Sequence, residues 1–225
     1  MSICSRLDSR VLRRRDRGVW VRKARCGVIL DRDRKFVYVH VPKTGGTALN
    51  RALEDYIHDG LVSPDDNGKH VGIRYILDKY PEVDPKSWTI AATIRNPWDL
   101  IASDYNFSRD YIGWDGVHER PELSVWSTKL KRVATEDFPT FVRAEWLYKH
   151  DKTFWEAYTY SRGEFCVNHV MRFERLDVEY PELLRKLDYP IDRVPVVNRT
   201  RWQQSPAKLY SRYPDLVTEI GDRLP

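Results

Sequence analysis

Hydrophobic positions in this chain switch between a two-residue and a roughly four-residue period, and the switches mark out its elements. Lys35-Phe-Val-Tyr-Val-His-Val41 alternates, is rich in β-formers and stops at Pro42, which predicts a strand. Beyond Gly45 and Gly46, the residues Leu49, Leu53 and Ile57 recur every four positions and predict a helix starting near Thr47. Ser63-Pro-Asp-Asp-Asn-Gly68 predicts a loop, and 71–77 a short helix. Residues 87–94 predict a second core strand that runs directly into Arg95-Asn-Pro97, where a proline suits the first turn of a helix over 97–107. Residues 165–173 read as a strand, 180–187 as a helix, and 206–223 as a last helix after a polar loop. No repeat or linker interrupts this pattern. The expected organisation is an extension over 1–27 and one domain over 28–225, of the α/β class with a mainly parallel sheet covered on both faces.

Charge changes this picture at one end only. The formal net charge is +5, but residues 1–35 carry 12 Lys/Arg against 4 Asp/Glu, and the remainder is slightly acidic. The basic character belongs to an arm, and a solvated terminus rather than a nucleic-acid partner is expected of it. No apolar run approaches the roughly 18 residues that cross a bilayer, and no apolar stretch follows the N-terminal arginines. Cys4, Cys26 and Cys166 have no metal or CxxC spacing, so the expected compartment is the reducing cytoplasm.

Two segments carry chemistry. His40-Val-Pro-Lys-Thr-Gly-Gly-Thr47 lies between a predicted strand and helix. Glycines allow close backbone approach to a phosphate, the helix start offers N–H groups, and Lys43, Thr44 and Thr47 add a cation and hydroxyls. The alternative is a tight turn with a solvated lysine. A Walker A loop is absent, because the lysine precedes the glycines. Ile94-Arg-Asn-Pro-Trp-Asp-Leu-Ile-Ala-Ser103 also follows a strand, and strands running parallel open both loops at one edge. Arg95 suits a bidentate phosphate contact, with Ser103 just over two helical turns beyond it. The alternative is an Arg95–Asp99 pair beside a buried serine.

Together the segments resemble the 5′- and 3′-phosphate signatures of sulfotransferases that use 3′-phosphoadenosine 5′-phosphosulfate (PAPS), closest to the carbohydrate sulfotransferases. Val170-Met-Arg-Phe-Glu-Arg-Leu176 resembles a later strand of that family, and the resemblance extends over roughly 35–215. It implies a three-layer, P-loop-kinase-like fold with about five mainly parallel strands. It implies that Lys43, Thr44, Gly45, Gly46 and Thr47 hold the 5′-phosphosulfate and that Arg95 and Ser103 hold the 3′-phosphate. Arg199 and Arg201 fall in a polar loop that, by the resemblance, closes over the nucleotide; the alternative is a solvated loop. Golgi members carry a membrane anchor that has no counterpart here, so a soluble, bacterial-type enzyme is expected. The chain ends at Gly221-Asp-Arg-Leu-Pro225, which departs from the family's usual ending.

Sulfuryl transfer needs fixed cations, in-line positioning and a base for the acceptor hydroxyl, and no metal is expected. Several glycan sulfotransferases place a histidine base in a similar His-Val segment, which makes His70 the implied base and Lys43 its catalytic partner. Glu54 and His58 on the first helix are rivals, and His40 is expected to be structural. Four tryptophans (114, 126, 146, 155) and four tyrosines lie in 108–163 and are core or acceptor cleft, with Trp114 the first cleft candidate. The expected acceptor is a hydroxyl, most simply of a glycan. The competing readings are a P-loop-like nucleotide kinase and a non-catalytic nucleotide- or polyanion-binding protein.

Overall fold

The computed structural model describes residues 28–57, 61–62, 70–112, 136–147, 155–196 and 205–222. The basic segment 1–27, His58, Trp114, Arg199 and Arg201 lie outside these residues. The chain forms two compact units, one of Met1–Thr93 with Trp155–Pro195 and one of Ile94–Phe154 with Val196–Pro225. Among the described residues no helix is long and apolar enough to cross a membrane.

The first unit is built on a five-stranded sheet. Its strands are β1 (Val28–Asp31), β2 (Phe36–Val39), β3 (Leu61–Val62), β4 (Thr89–Ile94) and, after a two-stranded hairpin of β5 (Tyr160–Ser161) and β6 (Glu164–Phe165), β7 (His169–Arg172). The spatial order is β3-β1-β2-β4-β7. The class is α/β, as the alternation predicts, and the sheet is mixed, with parallel strands and a reversed β1. β1 runs antiparallel to both β2 and β3, whereas β2 and β4 are parallel, with Val37 opposite Ile90 and Val39 opposite Ala92. For β1 and β2 the cause is connection length, since a short turn reverses the chain, whereas a parallel neighbour such as β4 needs a crossover of about a dozen residues or more.

The β1–β2 turn contains Lys35 in the left-handed region (φ 47°), where the usual asparagine or glycine is missing. Asp31 compensates by accepting the Arg34 N–H at 3.1 Å and the Arg34 guanidinium at 3.2 Å. The Tyr189 hydroxyl donates to the same carboxylate, and the guanidinium stacks 4.3 Å from the centre of the Tyr189 ring. Burial raises the Asp31 pKa, but these donors outweigh it and hold the carboxyl below its ordinary value. A lowered folded-state pKa gives stability that is present above the ordinary carboxyl range and lost as pH falls through the folded value. Tyr189→Phe removes one donor. It is expected to cost about 1.5–3 kcal/mol at neutral pH and to move the acid-unfolding midpoint upward. Urea melts across a pH series measure both, and an unchanged acid limb would remove Asp31 from the account.

Helices α1 (Gly46–Leu53), α2 (Ile73–Lys79), α5 (Glu156–Thr159) and α6 (Leu176–Lys186) complete this unit. Leu49, Leu53 and Ile57 pack with Ile29, Phe36, Tyr38, Ala91 and Leu183 in one buried cluster, as the four-residue period requires. The single strand predicted over 165–173 is interrupted because Asn168 replaces the ladder with its side chain. Its Oδ1 accepts the Ile90 N–H at 2.9 Å, and its Nδ2 donates to the carbonyls of Pro85 and Trp88. Helix α6 starts four residues earlier than predicted and carries Pro181 inside it, at the loss of one i→i−4 bond.

The second unit holds α3 (Pro97–Ile112), α4 (Phe138–Val142) with one π turn over Arg143–Leu147, α7 (Pro206–Tyr210) and α8 (Pro214–Gly221). Ile101, Tyr105, Phe138, Phe141, Leu209, Leu216 and Ile220 form its core. The helix predicted over 206–223 is two helices, because a residue before proline avoids the α region. Tyr213 sits at φ −137°, ψ 66° ahead of Pro214.

Candidate functional site

The loop after β2 turns its first carbonyls inward. The Val41 N–H donates to the Val39 carbonyl at 3.0 Å, and the Thr44 hydroxyl, fully buried, donates to the Val41 carbonyl at 2.8 Å. Thr44 thus shapes the loop through its side chain. Lys43 follows at φ 65° and Gly45 at φ 85°, both left-handed. For a residue with a Cβ this conformation costs roughly 1 kcal/mol or more, and such outliers cluster where function demands a particular backbone. Gly45 is the N-cap of α1 with no side-chain cap bond, and the eight-residue helix starts at Gly46. The first N–H groups of a helix have no intrahelical acceptor and sit at its positive end. Half-buried Thr47 lies in this first turn, and half-buried Lys43 stands three residues ahead of Gly46.

Both glycines have a cause inside the protein. A Cβ on Gly45 would lie 2.6 Å from Leu176 Cδ1, in addition to the unfavourable φ. A Cβ on Gly46 would lie 2.6 Å from His40 Nε2 and overlap the imidazole. Close approach to a ligand is thus not the only demand on this pair.

His70 stands just before α2 and close to this loop. Its Nδ1 is 2.9 Å from the His40 carbonyl, and the two imidazoles meet edge to face with centroids 4.5 Å apart. A carbonyl only accepts, so Nδ1 carries the hydrogen and Nε2 is the acceptor nitrogen of the neutral ring. Gly72 then lets α2 approach α5, since a Cβ there would lie 2.5 Å from the Ala157 carbonyl oxygen. His40 itself is 2% exposed. Glu54 is the C-cap at the opposite end of α1 from Gly46, about 12 Å along the axis at ~1.5 Å per residue. Distance disfavours it as a base for the loop.

Behind the loop, three buried hydroxyls tie β2, β4 and α6 together. Tyr38, Thr93 and Tyr180 lie 3.0–3.1 Å from one another. Burial pushes both phenols up, so they remain hydroxyl donors. Tyr38 reads as a strand residue in sequence, but its partner 142 positions away leaves no local signal.

In the second unit, Asn96 caps α3 by accepting the Trp98 N–H at 2.9 Å, and Pro97 is the first helical residue. Arg95 is half-buried immediately before this cap, and Ser103 is half-buried on the helix between Ala102 and Asp104. The start of α3 is anchored by Tyr210, whose hydroxyl donates to the Trp98 carbonyl at 2.9 Å and whose ring meets Trp98 edge-on. Burial, with the Asp99 charge second, pushes the Tyr210 phenol well up and keeps it a donor at neutral pH. Of the aromatics expected as core or cleft, Trp146 packs, partly buried, against the core of this unit. Tyr160 in the first unit is 41% exposed.

Among the described residues no group of three or more His, Cys, Asp or Glu is arranged to hold a metal ion. The chain matches no protein-family profile, no curated protein and no solved structure.

Proposed function

We propose that this protein is a PAPS-dependent sulfotransferase acting on a hydroxyl, most simply that of a carbohydrate, within a P-loop-kinase-like architecture. The observation that carries the proposal is the pairing of β2 with β4. These strands are adjacent and parallel, so both end at the same edge of the sheet. In α/β sheets that edge is where phosphorylated ligands bind. The left-handed Lys43 and the uncapped start of α1 support an anion site at the first of these strand ends.

In this proposal the N–H groups from Thr44 to Thr47 and the Lys43 ammonium hold the 5′-phosphosulfate end of the donor. Arg95 and Ser103 hold its 3′-phosphate, with Arg201 closing over the nucleotide. His70 Nε2 takes the acceptor proton as the new O–S bond forms and the S–O bond to the phosphate breaks. Lys43 stabilises the charge released onto that phosphate. The donor supplies the sulfuryl group, and the protein supplies position, cations and a base.

Incubation with sulfur-labelled PAPS and pools of carbohydrate, phenol and alcohol acceptors tests the proposal. Label is expected to enter the carbohydrate pool, with one 3′-phosphoadenosine 5′-phosphate (PAP) formed per sulfate transferred. PAP release no faster than the protein-free rate in every pool would reject it.

A further inference from the structure

We infer that His40 is a positioning residue that joins the start of α1 to the imidazole of His70, an inference that rests on the proposed role of His70 as base. Three separate contacts converge on this one buried residue. Its ring lies against Gly46, so closely that a Cβ there would come within 2.6 Å of Nε2. The same ring meets His70 edge to face at 4.5 Å between centroids, with 74° between the planes. Its carbonyl accepts the His70 Nδ1–H at 2.9 Å.

Each contact controls a different degree of freedom. The carbonyl fixes which nitrogen of His70 holds the hydrogen, and so makes Nε2 the proton acceptor. The edge-to-face contact limits rotation of the His70 ring about its side-chain bonds. The contact with Gly46 ties the His40 ring to the first turn of α1, which starts three residues beyond Lys43. A shift of the cradle therefore moves the base with it. A structural role for His40 accounts for its burial (2% exposed), but not for the convergence of both site elements on its two ends.

The closing experiment combines three variants with a spectroscopic readout. In the wild-type protein, nitrogen-15 NMR of the histidines is expected to show His70 with a protonated Nδ1 and a bare Nε2. His40→Ala keeps the carbonyl but removes the ring. It is expected to keep the Nδ1–H tautomer of His70 but to lower kcat roughly 10- to 100-fold, the scale of a misplaced catalytic group, with the Michaelis constant for PAPS changed less than about twofold. Gly46→Ala alone is expected to lower the melting temperature, because its methyl meets the buried ring. Adding His40→Ala to Gly46→Ala is expected to recover that stability without recovering kcat, a non-additivity expected only of residues in contact.

A wild-type His70 protonated on Nε2 would overturn the inference, and so would an unchanged kcat in a folded His40→Ala protein. If His40→Ala does not fold, the wild-type tautomer alone decides. If the wild-type protein transfers no sulfuryl group, the proposed function fails while the tautomer and stability measurements still decide the role of His40.

Discussion

His70→Ala is expected to lower turnover roughly 100-fold or more while PAP binding is retained. An alcohol holds its proton far above neutral pH, so the attacking oxygen needs an acceptor as the O–S bond forms. Loss of a general base costs about 10²–10⁴ in rate. His70 is suited to the role because its Nδ1 is committed to the His40 carbonyl, which leaves the acceptor lone pair on Nε2. Protonation of the imidazole removes that lone pair. The wild-type rate is therefore expected to fall on the acid side, and that limb is expected to vanish in the variant. His70 lies near the loop, whereas Glu54 lies at the far end of α1, so Glu54→Gln is expected to leave turnover within a few-fold. A His70→Ala protein with near-normal turnover, beside an inactive Glu54→Gln or His58→Ala, would reassign the base.

Lys43→Gly is expected to produce a second large effect, and an unusual one, because activity and stability move in opposite directions. The ammonium contributes most when charge grows on the bridging phosphate oxygen, and removing one such donor typically costs about 10²–10³ in turnover. PAP affinity is expected to fall much less. The backbone responds the other way. Lys43 is held at φ 65°, and glycine adopts that conformation without the Cβ clash. The substitution is therefore expected to stabilise the fold by about 1 kcal/mol, less the extra entropy that glycine gives the unfolded chain. Chemical melts and single-turnover rates on the same preparation measure both signs. Normal turnover with only a raised Michaelis constant for PAPS would make Lys43 a binding residue. A loss of stability would mean that its side chain is needed for packing.

The part of the fold around the loop was legible because local pattern and tertiary need agree there. The alternation of Phe36–Val39, the glycine pair and the Leu49/Leu53/Ile57 period each correspond to an observed element. β1 was not legible. Its Val28–Leu30 apolar run is short and enclosed by charge, and its turn uses Lys35 at positive φ in place of a turn former. β3 is two residues long and carries no periodicity at all. The break in the last helix was visible in principle, since Pro214 restricts Tyr213. The break before β7 was not, because the bonds of Asn168 reach residues about 80 positions away.

The candidate site divides in the same way. Lys43 to Thr47 and Arg95 are legible as residue types beside strand ends, and Ser103 as a helix position about two turns beyond. The requirement for Gly46 is not, because its cause is the His40 ring six residues earlier folding back over it. The tautomer of His70 depends on a carbonyl 30 positions away. Spacing identifies which residues have suitable chemistry, but only packing shows which nitrogen of His70 faces a carbonyl.

Calorimetric titration with PAP and with AMP, in chelator, of wild type, Arg95→Ala and Ser103→Ala tests the 3′-phosphate assignment. The two ligands differ only by the 3′-phosphate, and a charge-assisted contact to it is worth roughly 1.5–3 kcal/mol. Wild type is expected to bind PAP at least about tenfold more tightly than AMP without metal, and each variant to lose PAP affinity while AMP affinity stays within about twofold. Equal affinity of wild type for PAP and AMP, or equal losses for both ligands in the variants, would contradict that assignment.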